Sequence, residues 1–336
     1  MKKATVQAGS NIAFIKYWGV SDAEINLPLN NSISMTLADA YTITTVAWDD
    51  GTGEIADGEP LHHDRIMLDG KLLIGRATDR LTDHLDRIRK LAGIDLYARV
   101  ESKNNFPMAS GIASSASGFA ALTVAATEAL EMELNVTQLS AIARRGSGSA
   151  SRSILGGFVE WEKGIDNESS VAHQLHPSEH WNLYDIVAVV SSAEKKISSA
   201  SGHIIANSSP LLDGRINGLE CALRDVRTAI DERNLEQLGP IIEHDALAMH
   251  SIMMTSDPSL FYWQPGTVEL IQSARQWRND GLPVYFTIDA GPNLHLICEE
   301  ESVDEICDLL LKKSFVQQVI ASQPGPGVES RSEHLF

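Results

Sequence analysis

Only three cysteines occur in 336 residues, Cys221, Cys298 and Cys307. Their number is odd and their spacing fits no metal site, so neither a disulfide framework nor a zinc centre is expected, and all three read as ordinary buried thiols. Long apolar runs are also missing. No stretch approaches membrane-spanning length, and the opening MKKATVQAGSNIAF has two lysines but no apolar run of seven or more. That excludes a signal peptide and points to a cytoplasmic protein. Basic side chains are scarce: 27 Lys and Arg stand against 45 Asp and Glu, a formal net charge of -18. Neither nucleic acid nor a membrane is therefore an expected partner, and a polyphosphate ligand has to be held by a local basic pocket. Trp263, Trp277 and Phe261 accordingly read as core or interface residues rather than a base-stacking platform. What the chain does have is 43% hydrophobic content, enough to fill one large or two ordinary domain cores.

No internal repeat or low-complexity tract occurs, and the acidic, Gly-rich stretch Asp49–Glu59 reads as an exposed hairpin connection. The first hundred residues look mainly β. Tyr41–Trp48 and Leu96–Val100 carry β-branched and aromatic residues in partial alternation, while Arg76–Leu91 sets Leu81, Leu85 and Ile88 at helical spacing. From Ser114 onward helices dominate. Ser114–Leu130 is Ala-rich, Thr137–Arg145 opens on an N-cap residue, and Leu212–Ile230 and Pro240–Met254 are long enough for several turns, Pro240 suiting a first helical position. Ile186–Ser191 and Val284–Ile288 are apolar runs short enough for buried strands. We expect a first domain over residues 1–183 and an α+β second domain over 184–336.

The first chemical motif is Asn105-Phe-Pro-Met-Ala-Ser-Gly-Ile-Ala-Ser-Ser-Ala-Ser-Gly118, between the strand ending near Val100 and the Ala-rich helix. Small residues let the backbone approach a ligand closely, and a helix N-terminus offers unpaired N–H groups and partial positive charge to a phosphate. Ser114 and Ser115 can add hydroxyl contacts or help to bind magnesium. The sequence matches neither G-x-x-x-x-G-K-[ST] nor G-x-G-x-x-G. A small-residue helix start packed tightly on a sheet remains the competing reading.

The pattern P-x-x-x-G-I-x-S-S-A resembles the ATP loop of the GHMP kinases, which include galactokinase, homoserine kinase, mevalonate kinase and phosphomevalonate kinase. Asn11-Ile-Ala-Phe-Ile-Lys-Tyr-Trp-Gly19 and Asn26-Leu-Pro-Leu-Asn-Asn-Ser-Ile-Ser34 resemble the opening of one branch, the diphosphomevalonate decarboxylases. Ala143-Arg-Arg-Gly-Ser-Gly-Ser-Ala-Ser-Arg-Ser-Ile-Leu-Gly-Gly157 and Phe286-Thr-Ile-Asp-Ala-Gly-Pro-Asn293 complete that pattern in the family's order. The resemblance implies an α+β GHMP kinase fold: an N-terminal domain like the second domain of ribosomal protein S5, and a ferredoxin-like C-terminal domain. It also implies ATP as co-substrate with Mg2+, a phosphorylated mevalonate as the small-molecule substrate, and homodimers, which are common among relatives. The ATP contacts it implies are Pro107, Ser110, Gly111, Ala113, Ser114 and Ser115, with Ser115 also toward the metal.

Three residues carry the chemistry. Taken alone, Lys16 after the apolar run Ile12–Ile15 reads as a surface lysine whose stem snorkels. Arg152, in a Gly/Ser-rich turn, is either a surface contact or a bidentate grip on carboxylate or phosphate. Asp289 before Ala-Gly-Pro reads as a turn former. The resemblance implies other roles: Asp289 faces the substrate's tertiary hydroxyl, Lys16 supports that carboxylate, and Arg152 holds the mevalonate carboxylate. Tyr17, Ser147, Ser149 and Ser199 are hydroxyl candidates around substrate oxygens. Arg76, opening a helix, loosely matches a substrate-contacting arginine of the family.

Two departures bear on the substrate. Diphosphate enzymes open K-Y-W-G-K, whereas this chain reads Lys16-Tyr-Trp-Gly-Val20. In Lys196-Ile-Ser-Ser-Ala-Ser-Gly-His203, many bacterial relatives have arginine and methionine where Ala200 and His203 stand. Both missing charges lie toward the terminal diphosphate in the family, so their loss removes charge-assisted partners for about one phosphate group. The expected reaction is decarboxylation of mevalonate 5-phosphate to isopentenyl phosphate, with Val20 and His203 near the single phosphate. Diphosphomevalonate decarboxylation, a 3-kinase that stops before carbon dioxide loss, and a non-catalytic metabolite binder are the alternatives. His62, His63, His244 and His250 read as structural or exposed rather than as metal ligands, because His244 and His250 do not share a helix face.

Overall fold

The computed structural model describes residues 2–49, 61–106, 114–191 and 199–336, without the side chains of residues 76, 77 and 200. Its first half runs β1 (Lys3–Ile15), β2 (Val20–Asp22), β3 (Leu27–Pro28), β4 (Ser32–Asp49), β5 (Arg65–Leu68), β6 (Lys71–Leu72), α1 (Arg76–Ala92), β7 (Tyr97–Asn104), α2 (Ser114–Glu128), α3 (Val136–Gly146), α4 (Ala150–Ser153), β8 (Phe158–Trp161) and β9 (Ala172–His176). The second half continues with β10 (Leu183–Val189), α5 (Ser199–Ile205), α6 (Leu212–Asp231), α7 (Leu235–Thr255), α8 (Pro265–Asn279), β11 (Tyr285–Thr287), β12 (Leu294–Glu299), α9 (Val303–Leu311), β13 (Gln318–Ser322) and β14 (Glu329–Arg331).

The first sheet has the order β14-β1-β4-β7-β5-β6, with β8 on the other half of β4 and β9 beyond it. β1 and β4 pair antiparallel from Lys3↔Ala47 to Ile15↔Ile33, interrupted by a bulge between Gly9 and Asn11. The bulge divides the strand between two cores. Ala4, Val6 and Ala8 pack under the alanine-rich α2, whereas Ile12 and Phe14, of the same parity, pack into the other core cluster. Two steps along β1 here face five along β4, from Gly9↔Tyr41 to Asn11↔Thr36, and an irregularity of this kind breaks the ladder and re-aims the side chains beyond it. Asn11 is thereby turned toward α4, where it donates to the Ser153 hydroxyl at 2.8 Å.

The second sheet is antiparallel, ordered β11-β12-β10-β13, with α5 to α8 inserted after its first strand and α9 before its last. This is the ferredoxin-like order the resemblance implies. Ile186, Ala188, Phe286 and Leu296 face the helices that complete one core cluster, while Leu183, Val187, Val189 and Ile297 share another with Ile12, Phe14, Ile33 and Met35 of the first sheet. One apolar layer therefore joins the two sheets, and burial of this kind is the main favourable term in folding. The chain end also ties back: β14 pairs with β1 through Thr5↔Arg331.

Several local expectations are corrected. α7 begins at Leu235, capped by Asn234, so Pro240 lies inside the helix and not at its first position. An interior proline costs on the order of 3 kcal/mol; here packing overrides it, the neighbouring Gly239 lying so close to Tyr285 that a Cβ would meet the ring at 2.1 Å. α3 is capped by Asn135, in a capping box with Gln138, rather than by Thr137. Cys298 is buried, but Cys221 is exposed and Cys307 only half-buried, and all three are free. Trp263 and Trp277 pack on the core, whereas Phe261 is 68% exposed. All but the first residue of the hairpin connection expected over Asp49–Glu59 lie outside the described residues. Among those described, no helix is long and apolar enough to cross a membrane.

Candidate active site

β1 ends at Ile15 and β11 at Thr287, and the residues just beyond these two ends meet. Lys16 Nζ donates to Asp289 Oδ1 at 2.6 Å, joining residues 273 apart in sequence. Lys16 is 2% exposed, so the snorkelling surface lysine is ruled out, while the Asp289 side chain keeps 24% of its surface open. Burial alone would raise the Asp289 carboxyl, but Lys16, His295 and Arg152 together hold it below the ordinary aspartate value. Behind it, His250 Nε2 donates to the Asp289 carbonyl oxygen at 3.1 Å. Burial takes His250 down to about 4, so it is neutral at pH 7.

Arg152 lies in the short α4 turn and is 2% exposed. Its Nε donates to Ser34 Oγ at 2.8 Å, Nη1 to Ser32 Oγ at 2.5 Å and Nη2 to Asn11 Oδ1 at 3.1 Å. These partners are neutral, and no carboxylate is bonded to the guanidinium among the described residues. Burial lowers its pKa to about 10, against the pull of nearby Asp289, and it stays charged at neutral pH. A buried cation fixed in place without a bonded counter-ion is an anion site in waiting.

Tyr17 borders this pair. Its ring meets Trp161 edge-on, with centroids 4.7 Å apart, and fits so closely over the turn before α4 that a Cβ on Gly148 would touch it. Burial pushes its hydroxyl pKa up, so it remains a neutral donor. On its other side lies His203, whose Nδ1 accepts the Gly19 N–H at 3.1 Å. That leaves Nε2 as the ring's donor, and burial together with the Arg80 charge lowers His203 to about 3. Val20 is buried and adds no charge.

Two arginines do reach this corner. Arg80 of α1 donates to the Gly146 carbonyl at 2.8 Å, lies over the Phe119 ring, and is close enough to lower the pKa of both Tyr17 and His203. Arg144 is fully buried, donates to Asn167, and leaves Nε and Nη1 without a hydrogen-bond partner among the described residues.

A line of hydroxyls leads from here to α2. Ser147 Oγ lies 3.4 Å from Ser149 Oγ and donates to Ser115 Oγ at 3.1 Å. Ser114 and Ser115 open α2 and line one end of a cavity whose walls include Ile66, Met67, Leu73, Val100, Asn104 and Phe119. Ser199 is the half-buried first residue of α5. Pro107, Ser110, Gly111 and Ala113 lie outside the described residues, as does the side chain of Arg76.

A Diphosphomevalonate decarboxylase-like N-terminal domain model matches residues 8–172, and a Mevalonate 5-diphosphate decarboxylase C-terminal domain model matches residues 185–330. The chain belongs to the diphosphomevalonate decarboxylase family. Among its relatives, diphosphomevalonate decarboxylase of Candida albicans is 32% identical, with 100% of this chain and 99% of that protein covered. Phosphomevalonate decarboxylase of Haloferax volcanii is 33% identical over 99% of this chain and 100% of its own length. A solved complex of MDDEF with MVAPP, AMPPCP and magnesium superposes with a TM-score of 0.90 at 37% identity, covering 98% of this chain and 99% of that one.

In this family member the supports of the site escape sequence reasoning. Ser32 and Ser34 alternate on a strand otherwise apolar at Ile33 and Met35, which is a readable sign of polar side chains turned to one face. His250 lacks metal-ligand spacing, yet it bonds to Asp289. Arg80, one turn beyond Arg76 on α1, is the arginine whose charge reaches Tyr17 and His203.

Proposed function

We propose that this chain uses ATP to decarboxylate mevalonate 5-phosphate, releasing isopentenyl phosphate, ADP, inorganic phosphate and carbon dioxide. The observation that carries the reaction class is the Lys16–Asp289 pair at 2.6 Å, its lysine buried and its carboxylate partly open, beside an Arg152 guanidinium with no carboxylate bonded to it among the described residues.

Hydroxide is a poor leaving group, so the tertiary alcohol has to be phosphorylated first. Asp289, kept ionised by its cationic neighbours, accepts the C3 hydroxyl proton as that oxygen attacks the γ-phosphorus of ATP and ADP departs. The C3–O bond of the new ester then breaks with its electron pair on phosphate, the C1–C2 pair becomes the C2=C3 double bond, and C1 leaves as carbon dioxide. As positive charge builds at C3 in this step, Asp289 hands the proton it accepted to the departing phosphate and, ionised again, stabilises the cationic centre. Arg152 grips the substrate carboxylate and so fixes one end of the molecule, with Tyr17 and the Ser147 and Ser149 hydroxyls beside it.

The nucleotide is assigned to the cavity beside α2, its apolar walls suiting a base and the helix start with Ser114 and Ser115 suiting phosphates. Among the described residues, no cluster of three or more His, Cys, Asp or Glu side chains stands ready for a metal. Magnesium fits this setting as a nucleotide-borne ion, since it keeps several waters and needs few protein oxygens. Ser115 Oγ would be its protein ligand; when bound, the ion neutralises phosphate charge.

The 5-phosphate is preferred because the corner at Tyr17 has apolar Val20 and a neutral His203, so only Arg80 and Arg144 among the described residues bring positive charge to it beside Arg152. The second reading, the 5-diphosphate, is favoured by the free Nε and Nη1 donors of Arg144 and by the likeness to the diphosphomevalonate decarboxylase of Candida albicans. Comparing kcat/KM for the two substrates under equal ATP decides: a higher value for the 5-phosphate supports the proposal, and a clear preference for the 5-diphosphate overturns it. As in the family, pairing into a homodimer is part of the proposal, tested by the mass of the purified chain in solution.

A further inference from the structure

Lys16 is held by more than its side chain. Its backbone N–H donates to Asp245 Oδ2 at 2.6 Å, and its carbonyl accepts from Arg215 Nη2 at 2.8 Å and Asn30 Nδ2 at 3.0 Å. Arg215 of α6 and Asp245 of α7 are themselves bonded, Nε and Nη2 to Oδ1 at 3.0 and 2.8 Å and Nη2 to Oδ2 at 3.0 Å. Their side chains are 3% and 4% exposed. Both peptide groups flanking the Lys16 Cα are thus fixed by one buried ion pair from the other half of the chain. The partner of Lys16 is fixed from the same helix: His250, five residues after Asp245 on α7, donates to the Asp289 carbonyl.

We propose that α7 is the frame that sets the Lys16–Asp289 geometry, with Asp245, through Arg215, and His250 as positioning residues for the reaction. Neither Asp245 nor Arg215 bonds to the Lys16 ammonium or the Asp289 carboxylate; they act on the backbone from which Lys16 leaves. An ion pair whose only task is to fill the core can be replaced by apolar residues at little or no cost in stability. This one spends its charge-assisted bonds on a main-chain N–H and a main-chain carbonyl at the residue that meets Asp289, where small displacements cost rate rather than binding.

The test is steady-state kinetics of the full-length chain with magnesium and ATP, using whichever of mevalonate 5-phosphate and 5-diphosphate the wild type turns over faster. Asp245→Asn is expected to lower kcat about 10- to 100-fold while KM for both substrates stays within about twofold. Arg215→Met combined with Asp245→Leu removes both charges together, so no unpaired charge is left buried, and it is expected to show the same split with a melting temperature lowered only by the loss of the bonds to the Lys16 main chain. If Asp245→Asn does not fold, the double replacement is read alone. A kcat within about twofold of wild type in the folded double variant overturns the proposal, and so does a KM that rises in step with the fall in kcat. The inference rests on the Lys16–Asp289 reaction reading but not on the substrate's phosphate count: a wild type that prefers the 5-diphosphate defeats the 5-phosphate assignment and leaves this test intact.

Discussion

The imidazole of His203 lies stacked on the ring of Tyr17, with centroids 3.9 Å apart and planes 21° from parallel. With Nδ1 engaged by the Gly19 N–H, the histidine is a neutral hydrogen-bond donor and not a cation at this corner. Val20 adjoins it in sequence through Gly19, and a lysine there restores a charge. Val20→Lys is therefore expected to raise the kcat/KM ratio of 5-diphosphate over 5-phosphate by about tenfold or more, one charge-assisted bond being worth roughly 1.5–3 kcal/mol. An unchanged ratio removes residue 20 from the determinants of substrate choice.

Lys16→Met tests the electrostatics of the pair. Burial raises the Asp289 carboxyl, and with the ammonium gone a main opposing influence is lost. The acid limb of the kcat profile should move upward by roughly 1–3 pH units, since an adjacent opposite charge depresses a carboxyl by that amount. A limb that stays in place while kcat falls assigns Lys16 to another step.

Arg152 should tolerate no exchange. A lysine cannot reproduce the three directions taken up by Ser34, Ser32 and Asn11, and glutamine carries no charge. Both variants are expected to lose about 30- to 1,000-fold in kcat/KM for the mevalonate substrate, the range for breaking a buried charged contact, with the KM for ATP nearly unchanged. Equal losses on ATP would place Arg152 at the nucleotide instead.

Stability should fall on mild acidification. His84 and His250 are buried and neutral, lowered to about 3 and about 4, while the unfolded chain titrates near 6.5. Between those values the unfolded state binds more protons, so stability is full above about 6.5 and is lost as pH falls toward 4, at on the order of 1–2 kcal/mol per histidine by pH 5. Asp289, depressed in the fold, adds to this only below the ordinary carboxylate range. His84 bonds Thr123 between α1 and α2, away from the Lys16–Asp289 pair, so His84→Gln should flatten the melting temperature between pH 7 and pH 5. An unaltered slope contradicts the assignment.

The reaction class is legible in the sequence because Lys16, Arg152 and Asp289 each sit in a motif, whereas their burial is not. Lys16 reads as a snorkelling lysine because the residue before it ends an apolar strand; the ion pair that buries its backbone comes from Arg215 and Asp245, 199 and 229 positions away, and no local pattern encodes it. Helix interiors follow from periodicity. Their starts do not: at Pro240 a proline rule loses to packing of Gly239 on Tyr285, and at Thr137 a capping residue loses to the Asn135–Gln138 box two positions earlier. Cys221 defeats a composition rule, because a free cysteine on an exposed turn of α6 has no signature in spacing.

In the proposed reaction Asp289 is the residue on which the chemistry turns. ADP and carbon dioxide released from mevalonate 5-phosphate should be counted together for the wild type and for Asp289→Asn, with substrate affinity measured alongside. The wild type is expected to release both in equal amounts, and the variant to bind substrate nearly as well while turning over about 10²- to 10⁴-fold more slowly. ADP without carbon dioxide, or a variant keeping more than about a tenth of the rate, would contradict a decarboxylase centred on Asp289.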